Sequence, residues 1–302
     1  MSDDHGSVFD GLIGGDSAQW AFGTDFEDPL AGVDTTVPEG VDHAELAAYC
    51  LMLGDDALIM SQRLSEWCSR APDLEEDIAL ANIALDLLGQ ARLLLARAAA
   101  ADPGVVPALP DGSPVPPEDA LAFFRDAGQF GNVRLAEVAN GDFAHVVVRL
   151  LLFSVARLTL LERLRASTDT VLAHVAAKGV KELTYHRDWA ARWFLTLAQG
   201  TEESSRRLVT ALGDLWPYQP ELVATHPVER SLARAGVGVD PATIRAEVDG
   251  ILDQVLAMSG VARPDHPPLA GDGGRHGTHT EAFSGLLAEM QVVARAHPSG
   301  RW

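Results

Sequence analysis

Residues 42–101 read DHAELAAYCLMLGDDALIMSQRLSEWCSRAPDLEEDIALANIALDLLGQARLLLARAAAA, and this stretch decides the fold. Leu46, Tyr49, Cys50, Leu53, Ala57, Met60, Leu64 and Trp67 recur at three- and four-residue spacing, the period of one apolar helical stripe. Asp42 followed by Glu45 is a capping-box-like start, and Pro72 is expected to stop the helix after about 28 residues. Asp73 with Glu76 repeats the start signal. The second helix then runs to about Ala101, with Ile78, Ala81, Leu85, Leu88 and Leu95 expected on its buried side. Two long helices joined by so few residues must lie antiparallel.

Working outward, residues 102–117 hold six prolines and two glycines, which neither a helix nor a central strand accommodates. This is a long surface crossover. A short amphipathic piece at 118–127 leads to Asn140-Gly141-Asp142, where Asp142 caps a third long helix reaching about Ala166. That helix is apolar almost all round from Val146 to Phe153, so it belongs at the centre. Thr168 is expected to cap a fourth, which ends at Gly200. Shorter helices follow at about 202–215, 241–258 and 280–296. A tight pair, a long connection and a second tight pair describe an all-α, ferritin-like four-helix bundle with one long crossover and additional C-terminal helices.

The chain has 302 residues, 47% of them hydrophobic, and 23 basic against 43 acidic residues give a formal net charge of -20. Thirteen of the acids and none of the Lys or Arg fall within residues 1–62. Residues 1–41 read as an acidic, flexible N-terminal arm, and residues 42–302 as a single domain. Such a charge balance argues against nucleic acid or an anionic membrane as partner. No secretory signal pattern and no apolar run of about 18 residues is visible. Cys50 and Cys68 fall in the same expected helix, about 27 Å apart along its axis, too far to pair. Two free thiols fit a reducing compartment, and the cytoplasm is the expected location.

Ferritin-like bundles that carry two irons supply one Glu from each of two helices and Glu-x-x-His from each of the other two. The carboxylates offset the metal charge, and i, i+3 spacing places both ligand types on one helix face. The first helix offers Asp55 and Asp56 beside Gly54, for which a solvated surface pair is the plainer reading. In the second, Asp86-Leu87-Leu88-Gly89 has Asp at the carboxylate position and Gly where the His belongs. Glu162 and Arg157 lie on the third, and on the fourth Glu182 and His186 are four apart instead of three. One His in place of two cannot assemble an ordinary di-iron centre. Asp86, Glu182 and His186, with Asp55 and with Arg157 or Lys181, are therefore expected to form a buried polar network. A mononuclear site of His186, Glu182 and Asp86 is the alternative. His276 and His279 stand behind a glycine-rich stretch that reads as a loop, with Thr278 and Glu281 as a capping box for the last helix.

Leu53-Gly54-Asp55, Ser61-Gln62-Arg63-Leu64, Glu66-Trp67-Cys68 and Leu85-Asp86-Leu87-Leu88-Gly89-Gln90-Ala91-Arg92 together resemble the non-catalytic ferritin-like subunit of bacterial phenylacetyl-CoA 1,2-epoxidases. The similarity continues through Phe124-Arg125-Asp126, Asn140-Gly141-Asp142-Phe143-Ala144, Lys181-Glu182, Tyr185-His186 and His279-Thr280-Glu281 to Trp302, covering roughly residues 44–302. The resemblance implies a structural subunit of a multicomponent monooxygenase in aerobic phenylacetate degradation. Its partner is a larger ferritin-like subunit holding the di-iron centre and the coenzyme A thioester, alongside other small subunits. A reductase with flavin and an iron–sulfur cluster delivers electrons from NADPH. On this chain the resemblance implies no catalytic or cofactor-binding residue and no metal, with Asp55, Asp86, Gly89, Glu182 and His186 as degenerate di-iron positions. A homodimer is a possible state of the isolated chain. The competing reading is a metal-dependent oxygenase or oxidase active in its own right.

Overall fold

Asp42 is extended and its carboxylate accepts the Glu45 N–H at 2.9 Å, which starts α1, His43–Ser65. The computed structural model of the chain describes residues 30–300. α1 ends well short of Pro72, a correction to the expected 28-residue helix. Beyond Ser65 the chain tightens into turns, Cys68 N–H to Ser65 O and Arg70 N–H to Trp67 O. Ser69 sits in the left-handed region at φ 66°, its N–H held by Asp77 Oδ1 at 2.7 Å. Cys68 thus lies outside the helix and is exposed, Cys50 is buried within it, and both are free.

Asp73 likewise caps α2, Leu74–Ala101, by accepting the Glu76 N–H. Its buried face is Leu80, Ile83, Leu87, Ala91 and Leu94. Of the stripe expected to be buried, Leu95 is, but Ile78, Leu85 and Leu88 are 53%, 63% and 45% exposed. The reason is that α2 is apolar on two faces, and the packing of α1 selects one. At Gly54 of α1 an added Cβ would stand only 3.1 Å from Leu95 Cδ2, so the absent side chain permits that close approach.

The crossover carries a 3-10 turn at Pro103–Val105 and two short helices, α3 Pro117–Phe123 and α4 Arg134–Glu137. Asp142 then caps α5, Phe143–Leu164, which is buried nearly all round as its composition requires. By length and composition α2 and α5 both pass for membrane spans, but 94% of the most apolar window of α5 is buried inside the bundle. α6, Thr170–Gln199, is capped by Asp169 and not by Thr168. The Asp169 carboxylate has a second task, an ion pair with Arg97 of α2 at 2.6 Å, both side chains within 1% of full burial. That fixes it at the helix start. Thr168 instead binds Gly236 O.

α7 Glu202–Leu215, α8 Pro227–Arg234, α9 Arg245–Ser259 and α10 Glu281–Ala296 pack around the four long helices. Among the helices expected from the sequence there is none at 227–234, where α8 stands behind a His226–Glu229 capping box. The N-cap of α10 is Thr280, not Thr278, and no side chain on its own segment caps it; the Glu137 carboxylate from the crossover accepts the Thr280 N–H. Among the described residues there is no strand. α1 and α2 pair, α5 and α6 pair, and α2 meets α6, giving the all-α ferritin-like bundle with its one long crossover. Residues 30–41 lie along the body: Leu30 is buried, Arg97 donates to Thr35 O at 2.8 Å, and Thr170 donates to Asp34 O at 2.5 Å. Residues 1–29, the remainder of the acidic arm, fall outside the described residues, as does the terminal Trp302.

Candidate functional site

The bundle brings most of the candidate residues together where α2, α5 and α6 meet. His186 is 1% exposed, and its Nε2 faces Asp86 Oδ2 at 3.0 Å. Burial holds the imidazole below its ordinary pKa although the hydrogen bond to Asp86 pulls the other way. Neutral His186 therefore donates Nε2–H to Asp86. Its Nδ1 is buried and has no hydrogen-bond partner among the described residues. One helical turn along α2, Gln90 donates to Glu182 Oε2 at 2.9 Å and accepts from Arg157 Nε at 3.0 Å. Arg157 Nη1 continues to Leu53 O at 3.2 Å. The series Glu182–Gln90–Arg157–Leu53 thus crosses the bundle from α6 through α2 and α5 to α1.

Arg157 is 5% exposed, and burial pulls its pKa down to about 10, with Asp56 the principal charge opposing that fall. It is still a cation at neutral pH. Glu182 is reached from the other side by Lys178 Nζ at 3.5 Å. Gly89 supplies no donor, and a Cβ placed there would find only Lys178 Nζ, at 3.8 Å. Tyr185, three residues after Glu182, lies at the surface and is 45% exposed.

Tested against a di-iron centre, these residues do not fit. Such a centre asks for two imidazoles and four carboxylates around two dications. Here a guanidinium stands within one amide of the Glu182 carboxylate, where it repels a divalent ion. Gly89 stands where an imidazole is needed. Among the described residues no three His, Cys, Asp or Glu side chains converge closely enough to hold a metal ion, and this applies to the mononuclear arrangement of His186, Glu182 and Asp86 as well.

Asp55 does not join this group, and neither Asp55 nor Asp56 is a solvated surface residue. Asp55 is fully buried in a bidentate pair with Arg125, and it also accepts the Gly131 N–H at 2.9 Å. Asp56 pairs with Arg275 at 2.7 Å and accepts the Val133 N–H at 2.8 Å. These bonds belong to a second polar network that residue patterns left unseen. Glu137, fully buried, bonds Asn132, His279 and the Thr280 N–H. Its backbone oxygen accepts two bonds from Arg63. Glu221 holds Arg134 and the Gly274 N–H. Together they clamp the glycine-rich loop and the crossover onto the middle of α1.

The glycines were the available signal. A Cβ at Gly274 would fall 1.8 Å from Asn132 O, so only glycine lets the two backbones meet. His279, stacked on Phe283, is a member of the clamp. Burial works against its charge, but the bond to Glu137 and that carboxylate's field outweigh it and raise the pKa. His276 lies apart, its ring 4.8 Å from that of His226.

Comparison with known proteins agrees with the resemblance read from the sequence. The C subunit of the 1,2-phenylacetyl-CoA epoxidase of Escherichia coli strain K12 is 40% identical over 258 residues, which is 85% of this chain and 99% of that protein. The profile of the family described as phenylacetic acid catabolic protein matches residues 32–302. The chain therefore belongs to the phenylacetic acid catabolic protein family.

Proposed function

We propose that this chain is a structural, metal-free subunit of a 1,2-phenylacetyl-CoA epoxidase complex serving phenylacetate catabolism in the cytoplasm. Membership of the complex is supported by the extent of the likeness to the Escherichia coli epoxidase subunit. The structural role rests on one observation: the polar centre of the bundle is internally linked through Gln90, with Arg157 on one side and Glu182 on the other, and it lacks a donor at Gly89. Such a centre holds helices together but offers nothing to activate oxygen. The chemistry then resides on a di-iron catalytic subunit, supplied with electrons from NADPH by a reductase carrying flavin and an iron–sulfur cluster. The chain braces that catalytic subunit.

The test is reconstitution from the subunits of the chain's own complex. Omitting this chain should leave the catalytic subunit poorly soluble or slow, and adding it back should restore turnover of phenylacetyl-CoA. Once folded and assembled, the Arg157→Met chain should support the same turnover, because losing that guanidinium costs stability and not chemistry. Full activity without the chain would refute the bracing role, and turnover of phenylacetyl-CoA by the isolated chain would refute the structural one.

A further inference from the structure

A cavity of about 20 Å³ lies between α1, α5, the 3-10 segment Trp216–Val223 and the glycine-rich loop. Phe153, Ala156 and Leu222 give it apolar walls, and three charged side chains line the rest: Asp56, Arg157 and Arg275. We propose that one buried water molecule is bound in this cavity, where it accepts a hydrogen bond from Arg157 and donates one to Asp56. Space and partners both point to it. A volume of about 10–15 Å³ suffices for a single water, and a buried water typically makes about three hydrogen bonds to groups that otherwise lack them. Arg157 is 5% exposed; its Nε is committed to Gln90 and its Nη1 to Leu53 O, while its Nη2 is buried with no partner among the described residues. A buried charged donor of that kind costs stability unless something accepts from it.

Asp56 has the matching acceptor. An ionised carboxylate offers about four acceptor sites. Three bonds reach this one: Val133 N–H and Arg275 Nη1 to Oδ1 at 2.8 and 2.9 Å, and Arg275 Nη2 to Oδ2 at 2.7 Å. A site on Oδ2 remains. Charge then decides which guest fits. A cation would meet the guanidiniums of Arg157 and Arg275. An anion would stand against Asp56, with the fully buried Glu229 3.8 Å from Arg275 and Glu182 one amide beyond Arg157, so the two cations already have carboxylates around them. Water carries no charge and can both accept from Arg157 and donate to Asp56. Bound there, it joins the series Glu182–Gln90–Arg157 to Asp56 and Arg275. The centre of the bundle and the clamp on the glycine-rich loop then form one network, running from α6 to Arg275.

The full wild-type chain, crystallised and measured at a resolution that shows ordered waters, tests this without any variant. One oxygen-sized peak should stand within about 2.7–3.2 Å of both Arg157 Nη2 and Asp56 Oδ2. Crystals grown with bromide in place of chloride should give no anomalous signal at that point. A bromide peak makes the guest an anion and overturns the proposal; a dry cavity, or a direct bond from Arg157 Nη2 to Asp56, overturns it too. In solution, Ala156→Val fills the same space. Displacing a bonded water strands Arg157 Nη2, so the urea midpoint should fall by about 0.5–1.5 M. In an Arg157→Met background, where that donor is gone, the same substitution should cost less than half as much. An Ala156→Val chain at least as stable as wild type means an apolar void that gains by being filled, and an equal loss in both backgrounds means crowding alone. Either result overturns the assignment.

Discussion

Replacing Asp169 with alanine should be among the most damaging single changes in the bundle. The carboxylate does two things at once: it pairs with Arg97 Nη2 at 2.6 Å, and it caps α6 through the Leu172 N–H at 2.9 Å. Arg97 is fully buried, so removing its partner strands a guanidinium in the core, at a cost of about 3–5 kcal/mol. Loss of the cap adds about 1 kcal/mol, partly overlapping because the same group serves both. A total of about 4–5 kcal/mol is a large part of the roughly 5–15 kcal/mol that holds a domain folded. Urea unfolding followed by circular dichroism measures it. With a slope of about 2 kcal/mol/M the midpoint should fall by about 2 M, the slope staying constant. The double variant Arg97→Met/Asp169→Ala should be more stable than Asp169→Ala alone by about 1–2 kcal/mol, since the stranded charge is gone. A single variant costing under about 1 kcal/mol, or a double variant less stable than the single, would refute the reasoning.

Other consequences follow from the two polar networks. Asp86→Ala should cost about 1–2 kcal/mol, because buried His186 loses its acceptor, while turnover of the assembled complex stays unchanged; full loss of turnover in a complex that assembles normally would contradict this. His279 has a raised pKa in the folded chain, so its stabilisation is complete below the ordinary histidine value of about 6.5 and is lost as pH rises through the folded value. Urea midpoints measured from about pH 6 to 9 should fall for that reason, and His279→Gln should flatten the fall. His186 acts with the opposite sign: its depressed pKa keeps stability above the ordinary value and sheds it as pH drops, so His186→Phe should reduce acid sensitivity. Gly274→Ala should destabilise by about 3 kcal/mol or more, since the added methyl meets Asn132 O, and thermal unfolding reports it.

The fold was legible because its signals are local. Asp42, Asp73 and Asp142 start their helices as read, and the proline-rich stretch marks the one long crossover. The reading of α2 failed for a physical reason: periodicity finds an apolar face, and Leu74, Ile78, Leu85 and Leu88 form a second such face that this chain alone does not cover. α1 ended early because the turn at Ser69 depends on Asp77, a residue of the next helix. In the candidate site, Asp86 and His186 were brought together by helix pairing, which spacing foresees. Asp55 and Asp56 were not legible. Their partners Arg125 and Arg275 lie 70 and 219 residues away, and no local pattern encodes contacts that only the packed crossover and C-terminal loop create. Gln90 was also missed as the link between Arg157 and Glu182, because an amide carries no charge or metal-ligand signature.

The central claim is that oxygen chemistry lies on a partner and not in this bundle, and metal content tests it most directly. Iron, manganese and zinc should be measured in the chain purified alone under reducing conditions, and again after co-expression with the other subunits of its complex. The account predicts near-zero metal in the isolated chain and about two irons per assembled complex, as a di-iron centre requires. Stoichiometric metal in the isolated chain, lost on replacing His186 or Glu182, would contradict it and make this bundle a metal centre in its own right.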